Sequence, residues 1–288
     1  MSANKIIKTS HADIAISETS GKGLPVLFIH GNSSCKEVFR SQLESPLGET
    51  YRLIAMDLPG QGASSDAFDP ARTYSIPGFA DAAMELLERL GVERAAVVGW
   101  SLGGHVAIEM SARYSGMVGL LVAGAPPVSA TMESIGSGFK PNPLVGLIGK
   151  EVFSDEEAEA FGQGTYGALF DDKLRAAIKR ADGRLRRMTF ENLLGGGPAD
   201  QKQAAEQASM PIAFVNGADD PFVNLDYVGG LSYRSLWDQH CYVLRGVGHV
   251  AFMQAPEVFN PILTRFLADM QKRLAMPDTR KASKIVAA

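Results

Sequence analysis

The apolar positions of this chain fall into short continuous runs separated by stretches of helical spacing. Pro25 to Ile29, Tyr51 to Met56, Ala95 to Val98, Val118 to Ala123 and Pro211 to Val215 read as strands buried on both faces. Between them, Phe79, Ala83, Leu86, Leu87 and Leu90 repeat at helical spacing from Ile76 until Gly91 stops the pattern, and Val106 to Tyr114 is helix-compatible. Near the N-terminus, Lys5 to Lys8 and Ile14 to Ile16 form two short runs that turn at His11-Ala12-Asp13, the pattern of a hairpin. Strands alternating with helices predict an α/β fold with a mostly parallel, doubly wound sheet and an N-terminal hairpin.

The rhythm breaks between about residues 127 and 204. Strand-like runs vanish there, and Asp155 to Phe170, Asp171 to Arg187 and Gln201 to Ala208 are helix candidates, with Gly195-Gly196-Gly197-Pro198 between the last two. Strand pattern resumes at Pro211 and again at Cys241 to Leu244, and an amphipathic helix runs from Pro256 to Leu274. The organisation expected is a core made of 1–126 and 205–274, a helical lid at 127–204 inserted before the last two strands, and a basic, disordered tail at 275–288.

Composition narrows the classes. The 288 residues carry a formal net charge of −4, and no basic block precedes the tail, which argues against a nucleic-acid partner. No stretch approaches the ~18 to 20 apolar residues of a membrane span, and Met1 to Lys5 lacks an apolar signal core. Cys35 and Cys241 lie far apart, without CxxC or Cys/His ligand spacing. The expectation is a soluble, cytoplasmic protein with no metal, no cofactor and no membrane partner. Oligomeric state is left open.

Candidate chemistry centres on Gly99-Trp100-Ser101-Leu102-Gly103-Gly104-His105, which lies between a strand and a helix. Gly-x-Ser-x-Gly in that context is a nucleophile elbow, in which small flanking residues let a strained serine project above the strand end. A serine hydroxyl needs a base, and the base needs a partner that holds its tautomer. Of the five histidines, His30 sits at a strand end and is expected to brace its loop, His105 to face packing, and His11 and His240 to occupy a turn and a strand start. His249 alone falls in the loop after the last strand, which returns over the strand ends. The acid should follow the penultimate strand, where Asp219 and Asp220 both stand; Asp220, followed by Pro221, is preferred and Asp219 is the alternative. The order Ser101, Asp220, His249 is that of the hydrolase triad rather than of either protease arrangement. Backbone amides of Leu102 and Asn32 are the candidate oxyanion donors. The Asp57 to Gly62 turn reads as structural, and Trp100 as a wall of the pocket or part of the core.

With these residues in place, the chain resembles the α/β-hydrolase superfamily through His30-Gly31-Asn32, Asp57 to Gly62, Gly99 to His105 and Gly246-Val247-Gly248-His249. Serine at the elbow sets it apart from the haloalkane dehalogenases and epoxide hydrolases, which carry aspartate there. It is more similar to the AidH-type N-acyl-homoserine lactone lactonases. That likeness rests on His30 to Ser34, Gly99 to Tyr114, Pro126-Pro127-Val128, Gly136 to Lys140 and Val215 to Val223. The group carries glutamate at the position matching Asp220 and a lid tyrosine near the position of Phe161. The resemblance implies metal-free opening of acylated lactones through an acyl-enzyme. Phe139, Phe161, Tyr166 and Met188 in the lid are then candidates, with Trp100, for binding a small acylated lactone or ester. Two alternatives remain: a general carboxylesterase, and a small-molecule receptor that keeps the fold.

Overall fold

The computed structural model describes residues 2–275. Its eight strands are β1 (Ala3–Lys8), β2 (Asp13–Glu18), β3 (Pro25–Ile29), β4 (Arg52–Met56), β5 (Ala95–Trp100), β6 (Met117–Ala123), β7 (Ile212–Gly217) and β8 (Tyr242–Leu244). They form one sheet in the order β1-β2-β4-β3-β5-β6-β7-β8. The β1–β2 and β2–β4 pairs are antiparallel, and every pair from β4–β3 to β7–β8 is parallel. This is the α/β-hydrolase architecture, with the N-terminal hairpin at one edge.

The continuous apolar runs follow from two-sided burial. In β3, Leu27 and Ile29 join one core and Val26 and Phe28 the other; in β5, Val97 is set against Ala96 and Val98 in the same way. On the first face pack helices α1 (Ile76–Arg89) and α2 (Leu102–Ser111), through Phe79, Ala83, Leu86 and Val106. On the second, Val38 and Phe39 meet Phe259, Leu263 and Phe266 of the long C-terminal helix. The connection after β3 runs to β4 on one side, whereas the connection after its neighbour β5 runs to β6 on the other. Crevices in open α/β sheets form at the carboxyl ends of strands around such a switch point.

Between β6 and β7 the chain runs through α3 (Met132–Gly138), α4 (Val145–Ile148), α5 (Asp155–Tyr166), α6 (Asp172–Arg180), α7 (Gly183–Leu194) and α8 (Gln201–Glu206). The single helix expected over Asp171 to Arg187 is two. The first ends at Arg180, and Asp182 caps the second, accepting from the Arg184 amide, while its carboxylate also takes the Tyr74 hydroxyl at 2.7 Å. A short acidic side chain that can bond nearby amides favours a cap over a helix interior. The helix expected to reach Phe170 stops at Tyr166 because Gly167 turns at φ 57°. After β8 the described residues end with α9 (Pro256–Ala275). The expected tail beyond Ala275 lies outside the described residues.

Candidate active site

Ser101 stands between β5 and α2 with φ 53° and ψ −121°, a conformation that costs a residue with a side chain. Its surroundings leave no alternative. Its amide donates to Ala123 O at 2.9 Å, and its carbonyl accepts from the amides of Gly104 and His105. A Cβ on Gly99 would lie 2.3 Å from Gly103 O, and one on Gly103 would lie 2.1 Å from Ile29 O. Leu102 opens the helix, so its amide is one of the first four that have no partner within it, at the positive end of the helix dipole.

The loop after β8 brings His249 to this strand end. The Trp100 indole N–H donates to His249 O at 2.9 Å, and the Trp100 and Phe222 rings flank the imidazole at centroid distances of 5.5 and 4.8 Å. His249 Nδ1 lies 2.8 Å from Asp220 Oδ2. The other carboxylate oxygen of Asp220 accepts from the amides of Phe222 at 2.8 Å and Val223 at 3.1 Å. Burial pushes this carboxyl up, but the imidazole charge, its hydrogen bond and the two amides outweigh burial and hold the group below its ordinary value. Asp219 contributes a backbone bond to Val247 O; it is Asp220 that meets the imidazole.

Asn32 follows β3 in a loop pressed against the elbow: a Cβ on Gly31 would come within 3.1 Å of Ser101 Cβ. The inserted helices grip this loop. Asn32 Nδ2 donates to Ile148 O at 3.1 Å, Arg186 Nη1 to Ser33 Oγ at 3.0 Å, and the Tyr166 hydroxyl to Ser34 Oγ at 2.8 Å. His30 braces it from below, accepting the Leu58 amide on Nε2 at 3.0 Å while Nδ1 faces Gly31 O. The Asp57 turn is structural: its buried carboxylate takes the Lys36 amide, the Lys36 ammonium and the Ala63 amide.

Ser101, Leu102, Asn32, Trp100 and His249 all line one cavity of about 290 Å³. Its far walls come from one face each of α3, α5 and α7, including Ile135, Phe161, Phe190 and Leu193, and Phe139 closes one side. Two expected binding residues do not line it. Tyr166 is buried behind Trp100, at a ring distance of 5.8 Å, stacked on Phe170 with its hydroxyl turned to Ser34. Met188 packs against the core on another side of α7 from the lining residues Arg186, Thr189, Phe190 and Leu193. His105, expected in packing, does line the cavity. The signal was available: His105 stands one turn into the helix that Ser101 caps.

Gly124, at φ 64°, marks how tightly the imidazole is held, since a Cβ there would lie 2.8 Å from His249 Cε1. Gly124→Ala is expected to cost about 1–2 kcal/mol of stability from its backbone angle. Because the imidazole must move, aryl-ester turnover should fall at least tenfold at temperatures where the variant is fully folded. Wild-type kcat in a folded Gly124→Ala protein would contradict this.

Among the described residues, no group of three or more His, Cys, Asp or Glu side chains is placed to hold a metal ion, and no helix is long and apolar enough to cross a membrane. The sequence pattern of the Alpha/beta hydrolase family matches residues 26–262. A solved structure of a mutant of the N-acyl homoserine lactonase AidH, complexed with N-hexanoyl homoserine, has a TM-score of 0.91 and 44% identity, covering 94% of this chain and 98% of that one. The same lactonase complexed with N-butanoyl homoserine gives a TM-score of 0.90 at 44% identity, over 93% of this chain and 97% of that one. A 2-hydroxy-6-oxononadienedioate/2-hydroxy-6-oxononatrienedioate hydrolase of Pseudomonas sp is 28% identical over 261 residues, 84% of this chain and 87% of that protein.

Proposed function

The chain belongs to the alpha/beta hydrolase family, and from that premise we propose that it opens the lactone ring of N-acyl homoserine lactones without a metal, through an acyl-enzyme on Ser101. It is a hydrolase acting on carboxylic ester bonds. The substrate class rests on its 44% identity to N-acyl homoserine lactonase over 94% of the chain. In this reading residues 127–204 are a lid, and the apolar cavity beneath it takes the acyl chain.

The proposed steps use the residues gathered at this strand end. His249 takes the Ser101 proton as the oxygen attacks the ring carbonyl, and Asp220, bonded to Nδ1, stabilises the imidazolium and fixes the ring so that Nε2 is the atom that works. The amides of Leu102 and Asn32 receive the oxyanion, donors of the kind worth roughly 3–4 kcal/mol each in the transition state. The intermediate collapses by breaking the bond to the ring oxygen, which His249 protonates. The ester left on Ser101 carries the released hydroxyl within the same molecule. Water, deprotonated by His249, then attacks that ester; the bond from the acyl carbon to Ser101 Oγ breaks, His249 returns the proton to that oxygen, and the N-acyl homoserine carboxylate leaves.

The test is ring opening of N-hexanoyl homoserine lactone, followed by proton release, with chelator-treated enzyme and Ser101→Ala alongside. Opening that survives chelation and is lost with Ser101 is the expected result. Brisk aryl-ester cleavage with no lactone opening would replace the reading with a general carboxylesterase. Silence on both would leave a binding protein.

A further inference from the structure

The cavity wall beside Ser101 holds a second histidine that the triad does not use. His105 is 7% exposed, lines the cavity, and lies 2.7 Å through Nδ1 from Oε1 of Gln201, which is itself 1% exposed. The Gln201 amide is oriented by its other end, since Nε2 donates to His105 O at 3.3 Å. A carbonyl oxygen can only accept, so Nδ1 carries the ring hydrogen and Nε2, on the opposite edge of the ring, keeps a lone pair. Burial lowers the basicity of this imidazole; the Gln201 bond opposes that and the neighbouring His249 adds to it, so the ring is neutral near pH 7. The cavity thus contains a fixed, uncharged hydrogen-bond acceptor in surroundings that include Phe139, 6.0 Å away ring to ring.

We propose that His105, held by Gln201, is a specificity residue whose Nε2 accepts a hydrogen bond from the amide N–H that an N-acyl lactone carries beside its ring carbonyl. The inference rests on the lactonase reading and adds to it how an acylamino lactone is told from a plain one. Spacing supports it. Ser101 caps α2, His105 stands one turn into it, and both line the same cavity. In the substrate the amide nitrogen is two bonds of about 1.5 Å each from the carbon that Ser101 attacks. A hydrogen bond of about 3 Å from that nitrogen then reaches the next turn of α2, where His105 stands. A buried acceptor left facing a group without a hydrogen is penalised, which is how such a site selects.

The probes are N-hexanoyl homoserine lactone and its isostere with an ester oxygen in place of the amide N–H, compared as a ratio of kcat/KM. Intrinsic ring reactivity cancels when that ratio is compared between variants. The wild-type ratio should exceed that of His105→Leu by about tenfold or more. His105→Gln, which restores an acceptor, should recover part of the difference. Gln201→Leu, which frees the ring to carry its hydrogen on Nε2, should lower the ratio while keeping the imidazole. Thermal melts identify variants that do not fold, and the three substitutions give independent chances of a folded one. Folded His105→Leu and Gln201→Leu proteins with the wild-type ratio, even at reduced rates on both probes, would overturn the proposal and leave His105 a packing residue. A wild-type enzyme that opens neither probe would instead overturn the lactonase reading, and the proposal with it.

Discussion

Ser101→Ala is expected to lower ring opening of N-hexanoyl homoserine lactone by about 10⁶-fold while the protein stays folded. In the proposed mechanism the acyl-enzyme forms on Ser101; the other hydroxyls that line the cavity, those of Thr165 and Thr189, are buried in the wall made by α5 and α7. A residual rate above that in water should survive, because the amides proposed to hold the carbonyl oxygen, those of Leu102 and Asn32, remain in place. The backbone gives this experiment an internal control. Ser101 holds φ 53° with a side chain attached, whereas glycine adopts such angles freely. Ser101→Gly should therefore be as inactive as Ser101→Ala yet melt at a higher temperature, by an amount equivalent to about 1–2 kcal/mol. Single-turnover rates and thermal melts of both variants decide it. Retention of more than a hundredth of the wild-type rate in either would mean that the nucleophile lies elsewhere.

How much of this site could be read from the chain depended on whether local pattern or tertiary contact places a residue. The elbow is local: Gly99 and Gly103 are required by backbone atoms within a few ångströms, so the five-residue motif carries its own geometry. His249 was reachable because the order of elements puts the last loop over the strand ends. Tyr166 shows the limit. An aromatic in a helical lid is as able to brace as to bind, and only the packing reveals that its hydroxyl goes to Ser34 and its ring to Trp100. Arg186 was missed for the same reason. Its side chain, at the surface by the usual preference for charge, is instead buried, with its guanidinium over Phe153 and bonded to Ser33 Oγ and the carbonyls of Lys150 and Glu151. Nothing in its neighbours along the chain announces those partners. His105 differs, because chain order already puts it one turn past Ser101; what chain order could not supply was Gln201, 96 residues further on.

Asp220→Asn should reduce turnover by about 10⁴-fold, and Asp219→Asn by no more than a few-fold. The two residues are adjacent, so the pair separates a role in the triad from a general effect of removing charge from this loop. Asparagine at 220 can still accept from the amides of Phe222 and Val223, which keeps the loop in place. Facing His249 Nδ1, however, it lacks the charge that stabilises the imidazolium, and its NH₂ group favours the wrong tautomer. Stability adds a second readout with a definite sign. The Asp220 carboxyl lies below its ordinary value in the folded protein, with burial opposing the shift and the His249 and amide contacts producing it. Its contribution is therefore fully present above the unfolded-state pKa of about 3.9 and is lost as pH falls through the folded value. The stability gap between wild type and Asp220→Asn should narrow below about pH 4. A gap that did not narrow below about pH 4, or an Asp219→Asn protein slower than Asp220→Asn, would assign the imidazole's partner to the other aspartate.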